Sequence, residues 1–235
     1  MTKLANDPVK EPVNKMRKKK ARILIVDDHP IVREGLQTLI DQEDYLQVCA
    51  TASDSKETLE QIDAEKPDVA IVDFSLKDED GIGVIRNIRA KGLQLPVLVL
   101  SIHDEAVYAE RVLRAGANGY LMKDEPTKKV LAALRQVIRG EISVSDRIAG
   151  RLLQKMAGQQ KIVSGHPVEL LSDRELQVFR WIARGFGTRQ IAEKLGLSIK
   201  TVETYRENIM RKLDLQSGSE LVRHAILWSQ KEKTG

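Results

Sequence analysis

Residues 23–30 read ILIVDDHP: four apolar residues run straight into two aspartates, a histidine and a proline. The apolar run suits a strand covered on both faces, and Pro30 suits the first turn of a helix. Asp27 and Asp28 place two repelling carboxylates at the point where the strand ends, so compensating charge is expected nearby in the fold.

The same grammar recurs downstream. RILIVDD (22–28), LQVCATA (46–52), VAIVDF (69–74), VLVLSI (97–102) and GYLMK (119–123) read as five strands. The first, third and fourth are near-continuous runs of Val, Ile and Leu, as in a parallel sheet buried on both sides. Amphipathic stretches at about 30–41, 54–65, 81–91, 104–115 and 126–139 separate or follow them. Ser53 or Asp54 can cap the second helix, and Pro126 can open the fifth. This alternation predicts a doubly wound α/β domain over residues 22–140.

Ligands of an open parallel sheet lie beyond the carboxyl ends of its strands. The strands end in Asp27 and Asp28, in Asp73, in Ser101 and in Lys123. Folding brings three carboxylates, a hydroxyl and an ammonium to one edge. An oxygen-rich cluster with few ligands suits Mg2+ with retained waters. A carboxylate beside such an ion can attack a phosphoryl group, with Lys123 neutralising charge and Ser101 donating to a transferring oxygen. A lone strand-end aspartate is ordinarily a turn residue; the joint pattern is what carries the argument.

Charge divides the chain further. Its net +4 is distributed as +5 over residues 1–21, −6 over 22–140, +2 over 141–168 and +3 over 169–235. The first segment reads as a basic, disordered tail. An acidic body can hold a cation, and a basic C-terminal part can approach nucleic acid. No apolar run is long enough to span a bilayer, and no N-terminal stretch resembles a signal peptide. A single cysteine, Cys49, excludes an internal disulfide and suits a reducing cytoplasm.

Residues 141–168 read as a linker carrying one helix, SDRIAGRLLQKMA (145–157), followed by the polar GQQKIVSGHPVE. Residues 169–235 read as all helical. Ser172 and Glu175 have capping-box spacing, after which Leu176, Phe179, Ile182 and Ala183 share a face. Gly185 and Gly187 can end that helix. A short helix at 188–195, a break at Gly196 and a helix capped by Ser198 and running to about 212 give helix-turn-helix order. On the last of these, Val202, Ile209 and Leu213 form the buried stripe. Lys200, Thr204, Glu207 and Arg211 form the opposite one, flanked by Glu203 and Asn208. That face suits the major groove of double-stranded DNA. Lys200, Arg206, Arg211 and Lys212 are candidate phosphate contacts, and Glu203 and Glu207 candidate base readers; Ser198 and Thr201 stand at the helix start.

Two motif sets resemble a known family. VDD (26–28), VDF (72–74), LSI (100–102) and GYLMKD (119–124) resemble the receiver domain of bacterial two-component response regulators. LSDRELQV, RQIAEKLGLS and KTVETYRENIMRKL resemble the LuxR-type helix-turn-helix of the NarL/FixJ subfamily. The resemblance implies strand order 2-1-3-4-5. It implies that Asp73 is the phosphoacceptor, and that Asp27, Asp28, Asp73 and the main-chain carbonyl of Ser75 hold Mg2+. Ser101 and Lys123 would contact the phosphoryl group. Tyr120 matches the switch aromatic that turns inward when Ser101 moves. Tyr205 stands where many members have histidine, in reach of a phosphate or sugar. The last helix, 217–229, is similar to the family's dimerisation helix, with Leu221, Ala225 and Trp228 on one side. The implied function is a cytoplasmic transcription factor, not an enzyme with turnover, phosphorylated by a sensor histidine kinase and homodimeric when phosphorylated or on DNA.

Two departures stand out. Leu76 and Lys77 replace a frequent Met-Pro pair, next to an acidic run at 78–80, and Asp124 follows Lys123 where the family often has a proline with a cis bond. A haloacid-dehalogenase-type enzyme also uses a strand-end aspartate with Mg2+, but wants a second aspartate at position 75, which is Ser. A ligand-sensing regulator needs an apolar pocket, and only 4% of the chain is aromatic. An atypical receiver that regulates transcription without phosphorylation is the remaining alternative, against which the full acidic, hydroxyl and lysine set argues.

Overall fold

The computed structural model describes residues 19–77, 79–158 and 167–232. The basic tail through residue 18, Asp78 of the acidic run and linker residues 159–166 lie outside the described residues.

Five strands, β1 (Ala21–Val26), β2 (Leu46–Ala52), β3 (Val69–Asp73), β4 (Val97–Ser101) and β5 (Gly119–Met122), form one parallel sheet in the order β2-β1-β3-β4-β5. Successive side chains of a strand point to opposite faces, and here they feed two separate cores. Ile23, Ile25, Val69, Ile71, Leu98 and Leu100 face one side, covered by α1 (Pro30–Asp41) and α5 (Thr127–Ile138). Leu24, Val26, Ala70, Val72, Val97 and Val99 face the other, covered by α2 (Ser55–Glu65), α3 (Gly81–Ala90) and α4 (Glu105–Arg114). Each fully buried Val, Leu or Ile contributes about 1.5–3 kcal/mol by leaving water. A one-residue shift in register would exchange the two faces.

Helix starts follow local chemistry. Pro30 opens α1, and the Asp54, Asp80 and Asp104 side chains accept from main-chain N–H groups in the first turns of α2, α3 and α4. No described peptide bond is cis, so Asp124 follows Lys123 through an ordinary trans bond.

The segment after α5 stays on this body. Tyr120 N donates to Ser143 O beside β5, and α6 (Asp146–Met156) lies along α4. There Ile148 is buried, Arg147 pairs with Asp104 and Glu105, and Lys155 pairs with Glu110. The linker helix is therefore docked rather than free.

A 3-10 turn (Pro167–Leu170) leads into α7 (Asp173–Ala183), α8 (Thr188–Leu195), α9 (Ile199–Lys212) and α10 (Gly218–Glu232). Ser172 and Glu175 form the reciprocal capping box, and Ser198 caps α9. Gly196, at φ +62, turns α8 into α9 through a left-handed backbone that glycine adopts without strain. Leu176, Phe179, Ile182, Val202 and Ile209 are buried, while Ala183 and Leu213 are partly so.

One expectation is corrected. Leu221, Ala225 and Trp228 do not offer a free dimerisation face. All three are buried in the domain's own core, with the Trp228 ring 5.2 Å from that of Phe179. The apolar side chains that α10 exposes are Val222, Ile226 and Leu227.

Candidate functional site

The carboxyl edge of the sheet carries the first site. Asp73, the last residue of β3, is 4% exposed, and Asp27, just beyond β1, is 1% exposed. Lys123, just beyond β5, reaches back between them, with Nζ 2.9 Å from Asp27 Oδ2 and 3.1 Å from Asp73 Oδ1. Asp28 is less buried, but its Oδ1 atom is enclosed, accepts no hydrogen bond and lies 3.0 Å from His29 Nδ1. Carboxylate oxygens of Asp27, Asp28 and Asp73 and a ring nitrogen of His29 all fall within 4.8 Å of one another.

Three carboxylates share this edge with one ammonium, which pairs with Asp27 and Asp73, so the site is short of positive charge. Burial pushes the Asp73 carboxyl above its ordinary range; Lys123 pulls it down and Asp27 pushes it further up. Burial disfavours the Lys123 ammonium, but Asp73 and Asp27 together outweigh it and hold the lysine above its usual value. Both shifts favour added positive charge, as expected of a surplus of carboxylates. An oxygen donor set with an orphaned carboxylate oxygen fits a hard divalent cation, held by Asp27, Asp28 and Asp73.

Ser101 ends β4 fully buried, and its Oγ accepts from His103 N at 2.9 Å. The Ser75 main-chain N–H bonds to the Asp73 carboxylate, and Ser75 Oγ lies 2.7 Å from His103 Nε2. Tyr120 is turned inward, 1% exposed, and its hydroxyl donates to His103 O at 2.7 Å. Two histidines thus join the residues foreseen. His29 was visible in the opening motif, where a histidine beside two aspartates is ligand chemistry. His103 had only its place two residues after Ser101 to suggest it.

The second site is the outer face of α9. Lys200, Glu203, Thr204, Glu207 and Arg211 are exposed along it, with Asn208 accepting from Arg211 at 2.8 Å. Ser198 and Thr201 hydroxyls bond each other at 2.7 Å at the helix start. Tyr205 and Arg206 are half-buried on the flank. Lys212 is turned away from this face. Its Nζ lies 2.6 Å from the buried Glu175 carboxylate, so its charge is engaged within the domain rather than offered to DNA.

The two sites are joined by a docked interface. Asp173 of α7 takes Arg111 at 2.9 Å and Arg86 at 2.8 Å, and Arg111 also donates to the main-chain oxygens of Glu169 and Leu171. The recognition face of α9 stays open in this arrangement.

Comparison with known proteins matches both parts. Residues 23–135 match the family model described as response regulator receiver domain, and residues 169–225 that of bacterial regulatory proteins, luxR family. The oxygen regulatory protein NreC of Staphylococcus haemolyticus (strain JCSC1435) is 36% identical over 209 residues, covering 87% of this chain and 96% of that protein. NreC of Staphylococcus carnosus (strain TM300) is 35% identical with the same coverage. Among solved structures, RcsB from Salmonella enterica serovar Typhimurium, bound to promoter rprA in the presence of the phosphomimetic BeF3-, superposes with a TM-score of 0.68. It is 26% identical and covers 88% of this chain and 98% of that one. A structure of two RcsB dimers on two parallel DNAs gives a TM-score of 0.67 at 27% identity, covering 88% and 99%. Among the described residues no helix is long and apolar enough to cross a membrane.

Proposed function

This chain belongs to the bacterial response regulators of NarL/FixJ type, DNA-binding proteins with a receiver and a LuxR-type helix-turn-helix, and on that premise we propose that phosphorylation of Asp73 switches its binding to DNA. The donor is a partner sensor histidine kinase. The observation that carries the reading is the Asp73 carboxylate, buried at the end of β3 with Lys123 Nζ 3.1 Å away and Asp27 beside it.

Asp73 supplies the nucleophilic oxygen. Its new bond to phosphorus forms as the donor's phosphorus–nitrogen bond breaks, and the departing imidazole takes up a proton. Lys123 holds positive charge against the transferring oxygens, and Ser101 Oγ lies at the same edge to donate to one of them. Asp27, Asp28 and Asp73, with the Ser75 main-chain carbonyl, would hold Mg2+, which when bound offsets negative charge on the phosphoryl oxygens. Burial makes Asp73 a strong oxygen base once ionised.

Ser101 and Lys123 then follow the phosphoryl group, leaving Tyr120 in its buried position. DNA is contacted through Lys200, Glu203, Thr204, Glu207 and Arg211, with two copies of the chain on a two-fold-related site. As a division of the chain we take 22–140 as receiver, 141–168 as a connector whose helix rides on α4, and 169–235 as the DNA-binding domain. Its reaction partners place this work in the cytoplasm.

Intact mass after treatment with acetyl phosphate and Mg2+ tests the assignment, comparing wild type with Asp73→Asn. One added phosphoryl on wild type and none on the variant is expected. Equal labelling of the two would sink Asp73 as acceptor, and no labelling of either would favour signalling without phosphate.

A further inference from the structure

Arg180 belongs to α7, in the DNA-binding domain, yet its side chain ends in the receiver. Its guanidinium lies 4.9 Å from the ring centre of Phe74 and 5.8 Å from that of Tyr108, and its Nη1 is 3.6 Å from Asp80 Oδ2. The side chain is 12% exposed, and that of Asp80 15%. A stacked, paired and largely desolvated arginine of this kind fixes the groups it touches.

Those groups are the loop of the phosphorylation site. Phe74 directly follows Asp73 and is fully buried. Its N–H donates to Leu100 O at 2.9 Å, and its carbonyl accepts from Gly81 N at 2.8 Å. Gly81 closes the loop so tightly that a Cβ there would stand 3.0 Å from Asp73 O. Asp80 caps α3 with Oδ1 and turns Oδ2 to Arg180. From Phe74 the packing continues inward to His103, 5.4 Å between rings, and His103 holds the Ser75 hydroxyl, the Ser101 hydroxyl and the Tyr120 hydroxyl. Arg180 therefore presses on the outer end of the chain that carries the nucleophile at its inner end.

We propose that Arg180 is a positioning residue of the phosphorylation site, supplied by the DNA-binding domain, so that the docked domain sets the rate of phosphoryl uptake at Asp73. This rests on the reading of Asp73 as acceptor. The contact exists in the arrangement with Tyr120 buried, and that reading assigns this arrangement to the phosphorylated form. A contact made in one state favours that state by whatever it lacks in the other. Losing Arg180 therefore slows uptake. Because Arg180 is carried on α7, whatever shifts α7 on DNA also moves it relative to Phe74 and Asp80.

The test uses the full chain, acetyl phosphate and saturating Mg2+. Arg180→Gln lowers the maximal uptake rate by about threefold to tenfold, and leaves the acetyl phosphate concentration for half-maximal rate unchanged, since Arg180 touches no donor atom. Arg180→Lys, which keeps the charge for Asp80 without the planar stack, recovers part of the loss. Asp80→Asn retains the cap on α3 and approaches the same interaction from the receiver side. The double variant should be no slower than the slower single one, as for two residues acting through one contact. Wild-type rates in Arg180→Gln, or losses that multiply in the double variant, would overturn the proposal while leaving Asp73 as acceptor. Failure of wild type to label at Asp73 would remove the underlying reading, and this proposal with it.

Discussion

Arg111 of α4 and Asp173 of α7 meet at 2.9 Å across the two domains, with the arginine side chain 6% exposed. The same guanidinium satisfies the carbonyls of Glu169 and Leu171, so one side chain closes the connection where the chain enters the DNA-binding domain. Replacing it with alanine takes this donor from two carbonyls and leaves Asp173 to Arg86. Arg111→Ala should weaken docking by about 2 kcal/mol, measured as faster hydrogen exchange over residues 168–173. Exchange equal to wild type would mean that the remaining contacts, Arg86–Asp173 and Arg180–Asp80 among them, suffice to hold the domains.

Asp73 binds its proton more tightly in the folded chain than in the unfolded one, because burial and Asp27 raise its carboxyl above the ordinary range. Folding therefore takes up a proton in the window between the ordinary aspartate value and the raised one. Stability falls as pH rises through that window. Asp73→Asn removes the cost of ionising the buried group. The variant should be more stable than wild type at neutral pH, with the gap closing on acidification. Thermal unfolding across pH checks this; a gap that widened toward acid would contradict it.

Glu175 titrates with the opposite sign. Burial works to raise its carboxyl, but Lys212 and the capping contacts at Ser172 outweigh it and hold the group below the usual range. Its contribution is present above the ordinary glutamate value and is lost as pH falls through the depressed one. Glu175→Gln keeps a hydrogen-bond acceptor for Ser172 N–H but loses the charge facing Lys212. It should cost about 1–2 kcal/mol near neutral pH and flatten the acid dependence. Denaturant unfolding followed by fluorescence at low and neutral pH reports both.

On α9, exposed Lys200 and Glu207 should separate affinity from specificity. Lys200→Ala weakens binding to all duplex DNA and lowers the slope of log affinity against log salt by about 1. Glu207→Ala relaxes sequence preference by about 1–3 kcal/mol at one base pair and leaves the salt slope unchanged. Binding titrations over a salt series distinguish the two. A reduced salt slope in Glu207→Ala would remove it from base reading.

The sheet and most helix bounds were legible because their determinants are local. Runs of Val, Ile and Leu mark β1, β3 and β4, while Pro30, Asp54 and the Ser172–Glu175 pair mark helix starts within a few residues of themselves. The edge cluster followed from strand ends alone. What stayed hidden depends on contacts distant in sequence. Periodicity shows that Leu221, Ala225 and Trp228 share a face, not that α7 already covers it. Lys212 reads as a free cation until Glu175, 37 residues earlier, is seen beside it. Nothing around Arg180 in the sequence points to Phe74, because the encounter exists only once two domains have docked.

The open face of α9 has a kinetic consequence. With Lys200, Thr204 and Glu207 exposed while α7 is docked, no domain needs to swing aside before the helix touches a groove. Sliding and hopping along duplex DNA, supported by counterion release, are then open to the chain for as long as this arrangement lasts. A search can proceed along the contour of the duplex, and two copies that bound apart can meet on it without first leaving.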